Sequence, residues 1–114
     1  REGRGVDIFL QPSGLTTTGY DGREAGSNGL ALDLEGRLLL CQHGDRRVAR
    51  LNPDGKTFST VVDRYDGKRF NSPNDLVVDR AGNIYFTDPP YGMGPSTSKE
   101  IAFHGVYRAS PDGK

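Results

Sequence analysis

The sequence lacks several features that would indicate a function class by themselves. It has one cysteine, Cys41, so no disulfide framework is expected, and the apolar run LLLC around it favours a small buried thiol. Fifteen basic and fifteen acidic residues cancel, so no net charge attracts nucleic acid or an anionic membrane. No apolar run approaches the roughly 18 residues that would span a bilayer. We therefore expect a soluble protein with neither nucleic acid nor a membrane as partner.

Common catalytic and cofactor motifs are also missing. The chain contains no Gly-x-Ser-x-Gly and no Cys-x-x-Cys sequence. The acidic stretch DRYDGKRFNSPN places Gly67 one position early for an EF-hand, and no glutamate closes that loop. The GMG sequence after Tyr91 lacks the third glycine or lysine of a phosphate loop, and no helix is expected to follow it.

Short β-rich segments separated by turn residues make up most of the chain. Sixteen glycines and seven prolines separate them, and no segment keeps a 3.6-residue period over three turns, so an all-β fold is predicted. The predicted strands are Val6–Leu10, Gly29–Leu34, Arg37–Cys41, Arg47–Leu51, Thr57–Val62, Leu76–Asp79, Asn83–Thr87 and Gly105–Ala109.

The chain also repeats itself once. SNGLALDLEGRLLLCQ (Ser27–Gln42) matches PNDLVVDRAGNIYFTD (Pro73–Asp88), and VARLNPDGK then matches VYRASPDGK after an insertion. A period of roughly 40–50 residues is typical of arrays and propellers. The repeats, at about 28–62 and 74–114, predict one full propeller blade and part of the next, with Val6–Leu10 as the outer strand of an earlier blade.

Propellers close typically four to eight blades into a ring. The sequence therefore predicts that residues 1–114 are a fragment of a propeller domain, and that the isolated fragment would expose blade faces and strand edges and aggregate. Connections alternate between the two faces of a blade. The LEG, RAG and NPDGK turns are minimal, whereas the loops Gln42–Arg47, Asp63–Asp75 and Asp88–His104 are long and polar. Long loops on one face of a rigid scaffold commonly carry the functional site.

Four residues on or near these loops could bind a ligand. Asn74 offers an amide oxygen suited to Ca²⁺ or Mg²⁺ with Asp75 as its support, although Asn-Asp after proline could also form only an Asx turn. Asn28 occupies the matching position in the first repeat, as polar lining or as a ligand. His43 is a candidate base or substrate donor, against the alternative of an exposed histidine without a role.

Two further positions and one histidine complete the candidates. Asp88 begins DPPYG, in which the double proline stiffens the chain and Tyr91 offers a flat, hydrogen-bonding surface. This segment could be a pocket wall or only a structural turn. His104 lies in the longest loop, and no role is assigned to it.

The strings NGLALDLEGRLLLCQHGDRRVARLNPDGK, NSPNDLVVDRAGNIYFTDPPYG and FHGVYRASPDGK strongly resemble the gluconolactonase (senescence marker protein-30-like) family. The resemblance covers nearly the whole chain from about Asn28. It implies a six-bladed propeller with one divalent cation in its channel, Ca²⁺ being expected and Zn²⁺ or Mg²⁺ being the alternatives. In that family a Glu, two Asn and an Asp hold the cation. Asn74 matches the first of those Asn ligands, and Asp75 matches its acidic neighbour.

The resemblance also implies what this chain does not contain. The Glu would precede Arg1, and the second Asn, the Asp and the catalytic carboxylate base are expected outside the chain. Vertebrate members carry an Arg where this sequence has Ser72, so their substrate preference does not transfer. The related paraoxonases have functional histidines near the positions of Asn28 and His43.

These observations predict metal-dependent hydrolysis of a small-molecule sugar lactone by the parent protein, the fragment alone being inactive. Asn74 is the predicted metal ligand, and Asn28, His43, Asp75 and Tyr91 are the predicted substrate-binding residues. The alternatives are an organophosphatase-like or strictosidine synthase-like relative, and a non-enzymatic binding propeller of the NHL-repeat type. The sequence leaves the lactone, the metal, the oligomeric state and the compartment, cytoplasmic or periplasmic, open.

Overall fold

The computed structural model describes residues 5–95 and 97–114, and within them the chain forms nine strands and no helix. The strands are β1 (Ser27–Leu32), β2 (Leu38–Gln42), β3 (Arg47–Leu51), β4 (Phe58–Val62), β5 (Arg64–Tyr65), β6 (Lys68–Arg69), β7 (Leu76–Val78), β8 (Ile84–Thr87) and β9 (Val106–Ala109). They form an antiparallel four-stranded sheet, β1-β2-β3-β4, a hairpin, β5-β6, and an antiparallel three-stranded sheet, β7-β8-β9. The all-β prediction is confirmed, and no helix that could cross a bilayer is found in the described residues.

The sequence repeat is a structural repeat. In the first sheet Leu30 pairs with Leu40, and in the second sheet Leu76, which matches Leu30, pairs with Phe86, which matches Leu40. The next strand keeps the same register, because Tyr85 pairs with Arg108 as Leu39 pairs with Arg50. The insertion in the second copy therefore lengthens the β8–β9 loop without shifting the strands.

Glycines at the predicted turn positions have the expected backbone conformation. Gly36 has φ 76° and Gly82 has φ 89°, values that L side chains rarely adopt. The aspartate at the start of each turn accepts two backbone hydrogen bonds. Asp33 Oδ1 accepts from the N–H groups of residues 35 and 37, and Asp79 Oδ1 accepts from those of residues 81 and 83, all at 2.9 Å. The two hairpins are thus closed by the same local chemistry.

The predicted strand Val6–Leu10 is wrong. The segment is extended but pairs with no other strand in the described residues, and Val6, Ile8 and Phe9 are 90%, 78% and 79% exposed. Apolar β-branched residues favour a strand, but a strand needs a hydrogen-bonding neighbour, and the free edge of the four-stranded sheet at β1 is not used by this segment.

The hairpin β5-β6 lies where the sequence analysis placed only a loop. Its two central residues, Asp66 (φ 53°) and Gly67 (φ 77°), both have positive φ, which is the requirement of a type I′ turn. The Asp-Gly pair between Tyr65 and Lys68 is a typical signal for this turn.

The core lies between the two larger sheets. Its buried members are Leu39, Cys41, Val48, Val61, Phe70, Leu76, Ile84, Phe86, Ile101 and Ala109. Phe70 packs edge-on against Phe86 and against Tyr107, with ring centroids 5.0 Å and 4.9 Å away. Because Phe70 lies in the connection between the sheets, this aromatic contact fixes how the following segment, residues 71–75, reaches the start of β7.

Candidate functional site

The candidate site lies where the first strands of the two larger sheets begin side by side. Asn74 and Asp75 are fixed by backbone hydrogen bonds to Thr87, the last residue of β8: Asn74 N–H donates to Thr87 O (2.9 Å), and Thr87 N–H donates to Asp75 O (3.0 Å). Its own carbonyl accepts from Gly29 N–H at 2.7 Å. Asn28 and Asn74, which match in the repeat, are therefore held next to each other at neighbouring strand starts.

His43 is in direct contact with Asn74. Its ring Nε2 lies 3.2 Å from Asn74 Oδ1, and its Nδ1 lies 3.6 Å from Glu24 Oε2. The histidine is 1% exposed, so the sequence alternative of an exposed loop histidine is wrong. A chain of polar contacts thus runs from the exposed Glu24 through a buried imidazole to the amide of Asn74.

Gly92 closes the other side of His43. A Cβ on Gly92 would lie 2.4 Å from His43 Cβ, a distance that real side chains do not reach. Gly92 is held from both sides, because its N–H donates to Ser72 Oγ (2.9 Å) and its carbonyl accepts from the Tyr20 hydroxyl (2.7 Å). Ser72 is fully buried, and its own hydroxyl donates to Pro89 O (2.6 Å).

The other predicted residues are more open. Asn28 and Asp75 are exposed, and Asp75 Oδ1 accepts a hydrogen bond from Leu76 N–H at 2.9 Å. Tyr91 is 65% exposed and borders a cavity of about 480 Å³, together with Glu24 and Met93. Since Glu24 also contacts His43, this cavity adjoins the Glu24–His43–Asn74 chain.

Asp88 is buried behind this region rather than lining it. Its Oδ2 accepts from Asn71 N–H at 2.8 Å, whereas its Oδ1 has no hydrogen-bond partner in the described part of the chain. Burial raises the pKa of Asp88 to about 6 in spite of the backbone hydrogen bonds that it accepts. The sequence left two roles open for this segment, a pocket wall and a structural turn. The structural turn fits the buried Asp88 better. His104 lies apart from it on the surface, with Nε2 at 2.8 Å from Lys99 Nζ.

Glu24, Ser72 and Gly92 were not predicted from the sequence as members of the site. Glu24 lies in a segment without strand or motif signal, and its contact with His43 depends on how residues 21–24 fold back. Gly92 is the first glycine of the GMG sequence, which was considered above only as a possible phosphate loop.

The oxygen donors at this site are of the kind that binds a hard cation, but they are too few to complete its coordination. Amide and carboxylate oxygens, here those of Asn74, Asn28 and Asp75, are the ligands that Ca²⁺ prefers, and it takes six to eight of them. The described residues contain no group of three or more His, Cys, Asp or Glu side chains that could hold a metal. The residues of this chain therefore fit one side of such a site.

Comparison with known proteins gives consistent matches. Residues 10–114 match the family model described as the SMP-30/gluconolactonase/LRE-like region. A gluconolactonase from Zymomonas mobilis is 46% identical over 115 residues, covering 96% of this chain and 32% of that protein. The chain thus spans about a third of the length of this relative.

Solved structures give the same result. A gluconolactonase from Xanthomonas campestris, described as important in glucose secondary metabolic pathways, is 48% identical, with a TM-score of 0.72 over 79% of this chain and 32% of that chain. A structural-genomics target proposed to be a gluconolactonase is 35% identical, with a TM-score of 0.72 over 79% of this chain and 33% of that chain.

Proposed function

Because this chain belongs to the SMP-30/gluconolactonase/LRE-like family, we propose that the protein containing it hydrolyses sugar lactones. The observation that carries the proposal is the buried His43 in contact with Asn74, beside a cavity of about 480 Å³. Two relatives that are 46% and 48% identical are gluconolactonases, which supports a lactone as the substrate class.

We further propose that the two repeated sheets are consecutive blades of a six-bladed propeller. Their common register and their shared core support this arrangement, since blades bury their faces against neighbouring blades. The outward faces are apolar: Leu30 and Leu32 of β1 are 56% and 61% exposed, and Val77 of β7 is 64% exposed. Further blades would cover such faces.

Asn74 is the proposed ligand of one divalent cation, expected to be Ca²⁺, with Zn²⁺ or Mg²⁺ as alternatives, and Asp75 supports it. When bound, the cation would polarise the lactone carbonyl and stabilise the negative charge that develops on its oxygen. The base that activates water is a carboxylate outside this chain. This part of the proposal rests on the matching position of Asn74 and on the chemistry of its amide oxygen.

His43 is proposed to orient Asn74. With Nε2–H donating to Asn74 Oδ1, the amide plane is fixed, and the second lone pair of that oxygen stays free. Glu24 Oε2 lies 3.6 Å from Nδ1 on the opposite side of the ring and helps to hold the imidazole in place. Tyr91 and Asn28 are proposed to contact the substrate at the border of the cavity.

The test is metal content and lactone hydrolysis of the full-length protein, before and after treatment with a chelator. We expect bound divalent metal and turnover that the chelator abolishes. Asn74→Ala should lose the metal, whereas Asn52→Ala, in the distant β3–β4 turn, should retain it. Unchanged metal content in Asn74→Ala would rule out the ligand assignment.

The same measurements separate the alternatives. A protein without metal and without turnover would be a binding propeller of the NHL-repeat type, with Asn74 only a turn residue. Turnover of phosphotriesters in preference to lactones would place the activity with the organophosphatase-like relatives.

A further inference from the structure

A second cavity borders the loop that follows His43. It has a volume of about 300 Å³, and its border includes Arg46, Arg69, Thr17, Thr18 and Thr97. A volume of this size is at the lower end of small-molecule sites. It shares no bordering residue with the cavity beside Tyr91. The second cavity is thus a separate, polar one with two guanidinium groups at its wall.

Arg46 is a buried cation that no carboxylate of the described residues contacts directly, although Glu100 and Asp88 act on it at longer range. It is 7% exposed, and within the described part of the chain its side chain donates to backbone carbonyls alone: Nε to Phe70 O (2.8 Å) and Asn71 O (3.0 Å), and Nη2 to Ser98 O (3.3 Å). Among the described residues no carboxylate oxygen lies within 4.0 Å of it. A guanidinium has five N–H donors, so donors remain beyond these contacts. Burying a charge is costly unless it is paired.

A second positive charge makes this arrangement less favourable. Burial lowers the pKa of Arg46 and the neighbouring charge of Arg69 lowers it further, whereas the charges of Glu100 and Asp88 act in the opposite direction. Arg69 Nη2 donates to Asp45 O (3.2 Å), a neutral carbonyl. Glu100 also borders the cavity, but its carboxylate accepts from the backbone N–H of Arg69 (3.1 Å) rather than from the guanidinium. At the cavity border the two guanidinium groups face one carboxylate, that of Glu100, while the carboxylate of Asp88 acts on Arg46 from outside the border.

The backbone of Arg46 supports a role for its side chain. Its φ of 57° lies in the left-handed region, which is strained for an L residue and which glycine or asparagine adopts more easily. The strained position places an arginine, with its long charged side chain, at the border of the cavity.

We propose that this cavity binds a phosphate-type oxyanion, either free or as the phosphate group of a small sugar-sized metabolite. Arg46 and Arg69 supply fork-shaped donors that match phosphate oxygens, and the threonines supply hydroxyl donors. The bound anion would accept from guanidinium N–H donors that no carboxylate of the described chain contacts. The proposal does not depend on the lactonase activity, because none of Asn74, His43 and Glu24 borders this cavity.

The test is titration calorimetry of the full-length protein with inorganic phosphate, in a buffer without other oxyanions, at constant ionic strength. A chelator is present throughout, so that phosphate does not bind to a cation near Asn74. We expect saturable binding that Arg69→Gln weakens roughly tenfold or more, since hydrogen bonds between charged groups are the strong ones. Arg64→Gln, which changes an exposed arginine of β5 outside the cavity, should bind as the unaltered protein does, and so should Asn74→Ala.

Two outcomes would overturn the proposal. One is the absence of saturable binding to the unaltered protein. The other is equal binding by Arg69→Gln and Arg64→Gln, which would indicate an adventitious ion only. A second measurement, the rise in melting temperature of the unaltered protein with phosphate against sodium chloride at equal ionic strength, needs no variant. A sugar phosphate that binds more tightly than inorganic phosphate identifies the metabolite form, and equal affinity identifies the free ion.

Discussion

Asp88 should make the stability of this fold depend on pH in a direction opposite to that of most aspartates. Its pKa in the folded protein is about 6, against an ordinary value of 3.8, because burial disfavours the charged form. The folded state therefore holds the proton more tightly than the unfolded state does. The stabilisation from this group is fully present below pH 3.8 and is lost as the pH rises through about 6.

The magnitude follows from the two pKa values. The difference between 3.8 and about 6 corresponds to about 3 kcal/mol at 25 °C. Asp88→Asn removes the titration but keeps an oxygen that can accept from Asn71 N–H. Its amide nitrogen replaces Oδ1, an acceptor without a partner, while Asn71 Oδ1 is itself a buried acceptor without a partner in the described residues. We expect Asp88→Asn to be more stable than the unaltered protein by up to about 3 kcal/mol at pH 7, and to be about equally stable at pH 3.5.

The assay is urea unfolding of the full-length protein, followed by circular dichroism, in steps from pH 3.5 to 8. Asp54→Asn is a control of opposite sign. Backbone hydrogen bonds from Thr57 and Lys56 lower the pKa of Asp54 to about 2, so its contribution is present above pH 3.8 and is lost as the pH falls through about 2. Asp54→Asn should therefore be the less stable protein at neutral pH. Parallel pH profiles for Asp88→Asn and the unaltered protein would refute the reasoning.

Three more predictions follow from packing. Gly92→Ala should displace His43 or its loop and destabilise the protein by about 1–3 kcal/mol. The control Gly26→Ala, where the added Cβ meets nothing closer than 3.8 Å, should be tolerated. Equal melting temperatures of the two variants would contradict this prediction. Cys41, whose pKa burial raises to about 12, should resist iodoacetamide at pH 8 until urea unfolds the protein, and mass spectrometry would reveal any labelling of the folded state. Phe70→Ala should cost about 3–5 kcal/mol in urea unfolding, and a loss below about 1 kcal/mol would mean that the aromatic cluster does not stabilise the sheets.

Much of the strand order could be predicted from the sequence, because local turn chemistry and a repeat determine it. Gly36 and Gly82 mark the two matching hairpins, and the apolar segments on either side of each could only pair with each other. The segment Val6–Leu10 was wrongly predicted, since its apolar pattern says nothing about whether a neighbouring strand is present to pair with it.

The matching placement of Asn28 and Asn74 could be predicted from the sequence, but the contacts of the candidate site could not. The repeat placed Asn28 and Asn74 at matching strand starts, and the long loops indicated which edge to examine. The contact between His43 and Asn74 joins residues 31 positions apart, and it depends on how two sheets pack and on a glycine at position 92. No local pattern encodes such a contact. The roles proposed for Asn28, His43, Asp75 and Tyr91 stay predictions until substrate binding is measured.

The unchanged register of the second sheet has a consequence for how such a molecule can diversify. A shift of one residue along a strand would turn every apolar side chain from the core to the solvent. The insertion between β8 and β9 avoids this, because Tyr85 still pairs with Arg108 as Leu39 pairs with Arg50. The length of the β8–β9 loop can therefore change without a change in the pairing of β8 with β9. Segments inserted between these two strands can add new binding residues while the packing of the hydrophobic core stays the same.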